Sequence, residues 1–583
     1  MSIASFDLES NGLLYEADRI HCLCIVDSEG GEYSYTGANI KKGLKKLWGY
    51  DTVVAHNGLT FDFPLITKLY GGEFKNPKDT MIWSRMLEPD RLGGHSIEQY
   101  AKEYGMQKVG KDITDWSVLT DEMLDRCMND ARVGMKIYQA LENRITSEWT
   151  EAVELEEDIA KIHAQQVLNG VGFDLEAANR LSEELEGVIA ALEEKIYADI
   201  PLRAEKLLTT ITAPFKRDGT YQKKVADWYG EDCDYVWGSF NRFEFSQLNL
   251  ASPKQVKAFL LTQGWKPVEF TPTGDGKLTE ESYPSIRGEV GKLIAERNVL
   301  IHRRNMVKNI NKKGEKKGFV HNVRSDGRIT ADAITLGAAT GRYAHKGIAN
   351  LPRVTTSYGE EIRALFIVPE DKVQIGWDLS GIENRIAAHY LYRSDGGKFA
   401  KEVLDGDFHQ TTADAIGITR DEAKTFRYMV LYGASPKKIA ATMGWSADRA
   451  KAVYAAFWKK EYLLKRIQTQ LKSAWKSTKS IKGLDGRRLY PRSDHSILNF
   501  LFQSAAAIVF KRAIVILNKK LEGVDYKRLI TYHDECQEEA RPEDVDYIIE
   551  QVIAACKEAG EYYNLHVPIE CEAKTGKNWA ECH

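Results

Sequence analysis

A chain of 583 residues is long enough for several domains, each with a core of its own. Its formal net charge of −4 gives no global basic signature, so any charge that meets nucleic acid must be local. The eight cysteines show no paired zinc spacing, the N-terminus carries Asp7 and Glu9 in place of a cationic apolar leader, and no run approaches about 18 apolar residues; the expectation is a cytoplasmic protein with reduced thiols, no signal peptide and no membrane span.

Residues 1–150 read as a compact α/β domain. From Ile3 to Glu9 the chain alternates, with Phe6 and Leu8 on one strand face and Asp7 and Glu9 on the other. Two carboxylates on one face suggest a metal site, and a solvated strand face is the ordinary alternative. The stretch from His56 to Asp62 supplies a third acid, and Asp130, in the helical stretch Asp121 to Leu141, a fourth. Helical periodicity then covers Glu151 to Asn169 and Asp174 to Ile200, and resumes after Ala251-Ser252-Pro253. Between them, Pro201 to Phe245 fits neither neighbour and mixes Lys216, Arg217, Lys223 and Lys224 with Trp228 and Trp237. A run from Arg303 to Lys317 holds seven cations against Glu315 alone, which suits a phosphate track better than a solubilising helix end.

Three later segments carry the chemistry. An apolar strand runs from Lys372 into Asp378, a Ser380-Gly381 turn follows, and a helix opens near Ile382. From Thr419 to Gly433 the chain reads as a helix started by a Thr419/Glu422 capping box. Arg420, Lys424, Tyr428 and Tyr432 form one stripe at four-residue spacing, while Ala423, Phe426 and Val430 supply the buried side. Two cations leading into two aromatic rings suit a ligand with a polyanionic end and a flat end, such as a nucleoside triphosphate. An amphipathic helix with incidental Lys and Arg is the alternative on this stretch alone. Finally, two short strands flank a tight turn carrying His533, Asp534 and Glu535. Brought together, Asp378 and Asp534 would repel and raise a pKa, and a shared pair of Mg²⁺ ions would relieve that repulsion while activating a hydroxyl and stabilising pyrophosphate.

In this order the three segments resemble motifs A, B and C of family A DNA polymerases, the bacterial DNA polymerase I class. The resemblance covers essentially the whole chain. Lys482 to Arg487, His409 after Gly406-Asp407, and the terminal stretch Asn578 to His583 resemble the replicative polymerases of podovirus-type phages. It implies an α/β multidomain fold: a ribonuclease-H-like 3′–5′ exonuclease domain of the DEDD type at 1–150, a thumb at 151–317 with an inserted segment at 201–245, palm at 318–411 and 484–583, and fingers at 412–483.

The resemblance also implies roles. Asp378, Asp534 and the Leu379 carbonyl would ligate two Mg²⁺ ions, with Mn²⁺ as a substitute, and Glu535 would support them. Arg420, His409 and Lys424 would grip the triphosphate, and Lys424 would donate a proton to the pyrophosphate. Tyr428 would meet the incoming base or sugar, where the family carries Phe or Tyr, and Tyr432 would sit at the templating position. Glu383 would be the steric gate against a ribose 2′-OH. Arg342, in Thr340-Gly341-Arg342, would join His495, Asn499 and Gln503 on the Ser496-to-Val515 helix in reading the minor groove, and His533 would support the primer terminus. Asp7, Glu9, Asp62 and Asp130 would hold two further Mg²⁺ ions for proofreading.

The implied partners are primer–template DNA, dNTPs, a helicase, a single-strand-binding protein and, at 201–245, a processivity factor such as thioredoxin. The absence of a preceding 5′-nuclease points to replication, in the host cytoplasm if the chain is phage-encoded.

Two departures stand out. The exonuclease pattern has Tyr four residues before its last Asp, where this chain has Arg126, so weak or lost proofreading is an open alternative. Asn350-Leu351-Pro352 shortens the family's longer element. A single-subunit RNA polymerase would lack the exonuclease acids and Glu383, and a non-catalytic DNA-binding relative would have lost Asp378, Asp534 or Lys424.

Overall fold

The computed structural model describes residues 1–106, 110, 113–230 and 236–583. The chain folds as two compact units, one of Met1–Ala178 with Lys312–His583 and the other of Asn179–Asn311.

The first unit opens on a five-stranded sheet ordered Glu32–Thr36, Ile20–Asp27, Ile3–Ser10, Thr52–Ala55, Pro77–Asp79. The first three strands are antiparallel and the last two join in parallel, as an α/β domain requires. Ala4, Phe6 and Leu8 are buried, and Cys22 and Cys24 sit fully buried in the neighbouring strand. Thr120 caps the helix Asp121–Glu142, which packs on these two strands. Its approach is close: a Cβ on Gly134 would lie 2.6 Å from the Ser5 hydroxyl, so glycine sets the spacing.

The helix Thr150–Asn169 ties this domain to the second sheet through buried charge. Glu156 is fully buried, accepts from Lys511 Nζ at 2.6 Å and from Arg487 Nη1 at 2.7 Å, and is also bonded by the Thr335 hydroxyl. Lys511 donates in addition to the Gly341 carbonyl at 2.8 Å, which fixes the loop carrying Arg342.

The second sheet is antiparallel, ordered Tyr526–Tyr532, Glu535–Ala540, Val373–Leu379, Cys571–Gly576. Across it lies the helix Ile497–Lys520. By length and composition alone it could cross a membrane, since an 18-residue window of it has a mean hydropathy of 1.8. It is a core helix: 89% of that window is buried inside the fold. A separate small core of Ile416, Phe426, Val430, Ile439 and Phe457 joins the helices Phe408–Ile416, Arg420–Leu431, Pro436–Met443 and Ala447–Lys460.

In the second unit, Ile196, Leu260, Trp265 and Ile294 join the long helix Leu175–Asp199, from Asn179 on, to the helices Pro253–Thr262 and Glu289–Val307. The segment 201–245 departs as an antiparallel pair, Arg203–Ile211 with Phe240–Ser246, and a short helix, Lys223–Tyr229. Val225 and Val236 form its small core, and Lys224 and Arg242 lie 5.2 and 4.4 Å from the Trp228 ring. Residues 231–235 of this segment lie outside the described residues.

Breaking a buried ion pair on one side leaves the other charge uncompensated, at a cost of about 3–5 kcal/mol. Lys511→Met is therefore expected to lower the unfolding free energy measured in urea by about that amount, and Glu156→Gln with Lys511→Met together to cost less than the two separately. A change under about 0.5 kcal/mol for Lys511→Met would show that the network is not a keystone.

Candidate active sites

The second sheet places the first acid cluster. In the strand Val373–Leu379, Asp378 pairs opposite Glu535 on one side and Glu572 on the other. His533 turns the hairpin at φ +58°, and the Leu379 amide donates to the Asp534 carbonyl at 3.2 Å, so Asp534 arrives beside Asp378. The Asp378 pKa is pushed up to about 6, first by burial and then by Asp534, Glu535 and Glu572.

Glu535 behaves oppositely. It accepts from the Trp579 indole, from Gln537 Nε2 at 2.7 Å and pairs with His583 Nδ1 at 3.1 Å. Although burial works against it, these donors hold its pKa below the usual carboxylate range. Gly376 makes this possible, since a Cβ there would lie 2.3 Å from the Cys582 carbonyl and push the C-terminal segment away. A cleft of about 210 Å³ lies between Asp378, Glu535, Glu572, Lys574 and His583.

Among the described residues no cation pairs with Asp378 or Asp534, and no three His, Cys, Asp or Glu side chains converge tightly enough to chelate one ion alone. This donor set fits Mg²⁺, which keeps several waters and is held by one or two carboxylates plus substrate phosphates.

The cationic helix forms as the sequence reads, Arg420–Leu431, with both halves of the Thr419/Glu422 capping box made. Arg420 pairs with Asp407, and both line a cleft of about 460 Å³ with His409, Ser380, Asn384 and Arg385. Burial, then Arg427, Lys424 and Arg420, lower the His409 pKa. Lys424 is exposed and does not line this cleft. Tyr428 and Tyr432 stack with centroids 6.3 Å apart. Glu383 is held from two sides, by Arg342 Nη2 at 2.7 Å and by the Tyr432 hydroxyl at 3.2 Å. Leu351 donates to the Tyr532 hydroxyl at 3.0 Å, which anchors the shortened Asn350-Leu351-Pro352 element against the acid hairpin.

Asn499 and Gln503 share a helix, but His495 does not. The helix begins at Ile497 because Ser493 to Ser496 form a turn, and His495 stands in it, largely exposed and 3.3 Å from Asp494. The His533 amide donates to His345 Nε2 at 3.2 Å.

The second cluster lies on the first sheet. Asp7 is pushed well up by burial, then by Asp62, Asp130 and Glu9, so the four acids face one another. Glu9 is raised to about 7 by burial, against the opposing pull of Arg126. Asp62 begins the helix Asp62–Tyr70 and is raised by burial, then Asp79 and Glu9. Arg126 Nε lies 3.2 Å from Glu9 Oε1 and 3.7 Å from Asp130 Oδ2.

Several supporting residues escaped the sequence reading. Asp79 accepts from the amides of Asn57, Leu59 and Met81 at 2.9, 3.1 and 2.9 Å and so shapes the loop ahead of Asp62. Its contacts with Met81 and Ile82 are a local N-cap, but those with Asn57 and Leu59 come from a separate loop and leave no trace in local sequence. Glu572 and the Glu535 contacts of Trp579 and His583 depend on long-range pairing, although the terminal stretch itself stood out.

Comparison with known proteins agrees with this geometry. Residues 230–581 match the model for DNA polymerase family A, and residues 2–146 the model for 3′–5′ exonuclease. The chain is 28% identical to the DNA-directed DNA polymerase of Enterobacteria phage T3 and 27% identical to that of Escherichia phage T7, each over 99% of both chains. Its fold matches the POL domain of Pol1 from M. smegmatis, solved with DNA primer-template and dNTP, at a TM-score of 0.76, 19% identity and coverage of 99% of this chain and 96% of that one. The chain thus belongs to DNA polymerase family A and is a DNA-directed DNA polymerase that carries a 3′–5′ exonuclease domain.

Proposed function

We propose that this polymerase extends a primer 3′-OH by nucleotidyl transfer at Asp378 and Asp534, and that Asp7, Glu9, Asp62 and Asp130 serve proofreading. The observation that carries the first reading is that Asp378, raised to about 6, and Asp534 lie together with no pairing cation among the described residues, and that the turn after Asp378 opens on a cleft of about 460 Å³ walled by Arg420 and His409. Two Mg²⁺ ions held by Asp378, Asp534 and the Leu379 carbonyl would activate the 3′-OH and neutralise the leaving pyrophosphate.

The remaining roles belong to side chains. Arg420, His409 and Lys424 bind the phosphates, and Lys424 Nζ gives its proton to the pyrophosphate oxygen. Glu535, fixed by Trp579 and His583, braces the hairpin that carries Asp534. Tyr428 faces the incoming sugar, Tyr432 the templating position, and Glu383 excludes a 2′-OH. Arg342, His495, Asn499, Gln503 and His533 contact the primer–template. This reading divides the chain into exonuclease (1–150), thumb (151–317), palm (318–411 and 484–583) and fingers (412–483), with the segment 201–245 as a docking site for a processivity factor. The basic and aromatic surface of that segment supports such docking. Primer–template DNA and dNTPs are the substrates, and a helicase and single-strand-binding protein the replication partners.

Primer extension on a long single-stranded template tests both sites. Asp378→Ala or Asp534→Ala is expected to abolish extension and leave primer–template affinity largely intact, since affinity comes from phosphate contacts elsewhere. Asp7→Ala should stop degradation of a labelled 3′ end without dNTPs. Near-normal extension by either polymerase variant would remove the assignment.

Tyr428 generates a sharper outcome. Its hydroxyl can replace the polar contact that a dideoxynucleotide lacks at C3′, so wild type should accept chain terminators readily. Tyr428→Phe should restore discrimination by about tenfold or more, as a lost hydrogen bond to a charged group is worth about 1.5–3 kcal/mol. Equal, strong discrimination in both proteins would mean that the ring does not face the sugar.

Arg203 and Ser246 pair across the inserted segment, so residues 204–245 can be replaced by a short turn. That deletion should shorten the products of each binding event in host extract while sparing single-nucleotide incorporation. Unchanged product length would reduce the segment to a connector.

A further inference from the structure

The two acid clusters differ in one respect. Asp378 and Asp534 pair with no cation among the described residues, whereas the exonuclease acids contain one of their own. Arg126 lies four residues before Asp130 on the helix Asp121–Glu142, so both side chains project from one face toward the sheet. Its Nε is buried, lies 3.2 Å from Glu9 Oε1 and 3.7 Å from Asp130 Oδ2, and yet makes no hydrogen bond among the described residues. The contact is therefore held by charge and not by the aligned fork that makes an Arg–carboxylate pair strong. The Trp116 ring lies 5.3 Å from the guanidinium, and Gly110, at φ +73°, leaves room for its stem, since a Cβ there would be 3.0 Å from Arg126 Cδ.

We propose that Arg126 is a resident counter-cation of the exonuclease carboxylates, so that a divalent ion entering between Glu9 and Asp130 must first displace its guanidinium. The proposal rests on the reading of these four acids as a metal site. The exchange costs the pair its Coulomb attraction, which is large in a half-buried site and cannot be screened away by salt as a surface pair is. It leaves the exonuclease domain folded and ready at low divalent concentration but only partly loaded. Polymerase and exonuclease thereby acquire different metal requirements within one chain, with the exonuclease acting only as divalent concentration rises. The misaligned Nε makes the exchange reversible.

The test is Mn²⁺ binding, read as free Mn²⁺ by electron paramagnetic resonance, on the full chain carrying Asp378→Asn and Asp534→Asn so that the polymerase acids do not contribute. Adding Arg126→Gln is expected to tighten the remaining Mn²⁺ binding about tenfold, the scale of one pKa unit of ion pairing. Arg126→Lys, which keeps the charge on a flexible stem, should tighten it less, and it reads the same exchange by Mn²⁺-dependent thermal stabilisation if the Gln variant fails to fold. Unchanged or weakened Mn²⁺ binding in Arg126→Gln overturns the proposal, and slower 3′ hydrolysis alongside it would assign Arg126 to the scissile phosphate. Adding Asp7→Asn and Glu9→Gln to the same background separates the two readings. If these remove no Mn²⁺ binding, the exonuclease acids are not a metal site and both readings fall.

Discussion

Gathering four carboxylates at one end of a sheet is costly even where three of them reach solvent, and the second sheet is built around that cost. Its register sets Asp378 between Glu535 and Glu572, with Asp534 beside it at the hairpin. Four acids at ordinary pKa values would repel strongly in such a place. The structure treats them unequally. Glu535 is satisfied by Trp579, Gln537 and His583 and stays ionised, while Asp378 is left to be raised toward neutrality. A carboxylate raised by its neighbours gains most from an arriving cation, because the cation removes the penalty that the fold imposes. The C-terminal residues and Gly376 thus belong to the active site as much as Asp378 does, since they decide which acid is bare.

The exonuclease acids face the same constraint and meet it with a different device. Asp79 takes four amides and becomes a scaffold for the loop before Asp62, whereas Glu9 and Asp130 share Arg126. In both sites one neighbouring acid, Glu535 or Asp79, takes the protein's own donors. Among the described residues, the exonuclease site adds a protein cation between two of its unsatisfied acids, and the polymerase pair Asp378 and Asp534 has none.

What the sequence made legible follows from physical range. Strand alternation at Ile3–Ser10, the apolar approach to Asp378 and the Thr419/Glu422 capping box depend on neighbours within a turn or two, and each stands in the structure where the pattern put it. Interactions that close over hundreds of residues were not legible. Glu156 finds Arg487 and Lys511 only after the fold has formed, and Glu572 meets Asp378 only through strand pairing. One local pattern misled. Four-residue spacing suggested that His495 lay on the helix of Asn499 and Gln503, but the Ser493–Ser496 turn intervenes. The helix Ile497–Lys520, hydrophobic on almost every face, is what a helix buried on all sides must be.

The nucleotide-facing groups show a further consequence of internal pairing. Arg420 is tied to Asp407, and Glu383 is clasped by Arg342 and the Tyr432 hydroxyl. These two groups proposed to touch a substrate thus have partners within the protein that the substrate must replace. Exchange of this kind reduces net affinity, because the internal bond is lost as the external one forms. It sharpens selection for the same reason. A ligand that breaks the Glu383 clasp without supplying matching contacts leaves a carboxylate and a guanidinium short of partners, a larger penalty than the mere absence of a favourable contact. Discrimination at this site therefore depends as much on what the protein's own pairs demand in return as on the shape of the cleft.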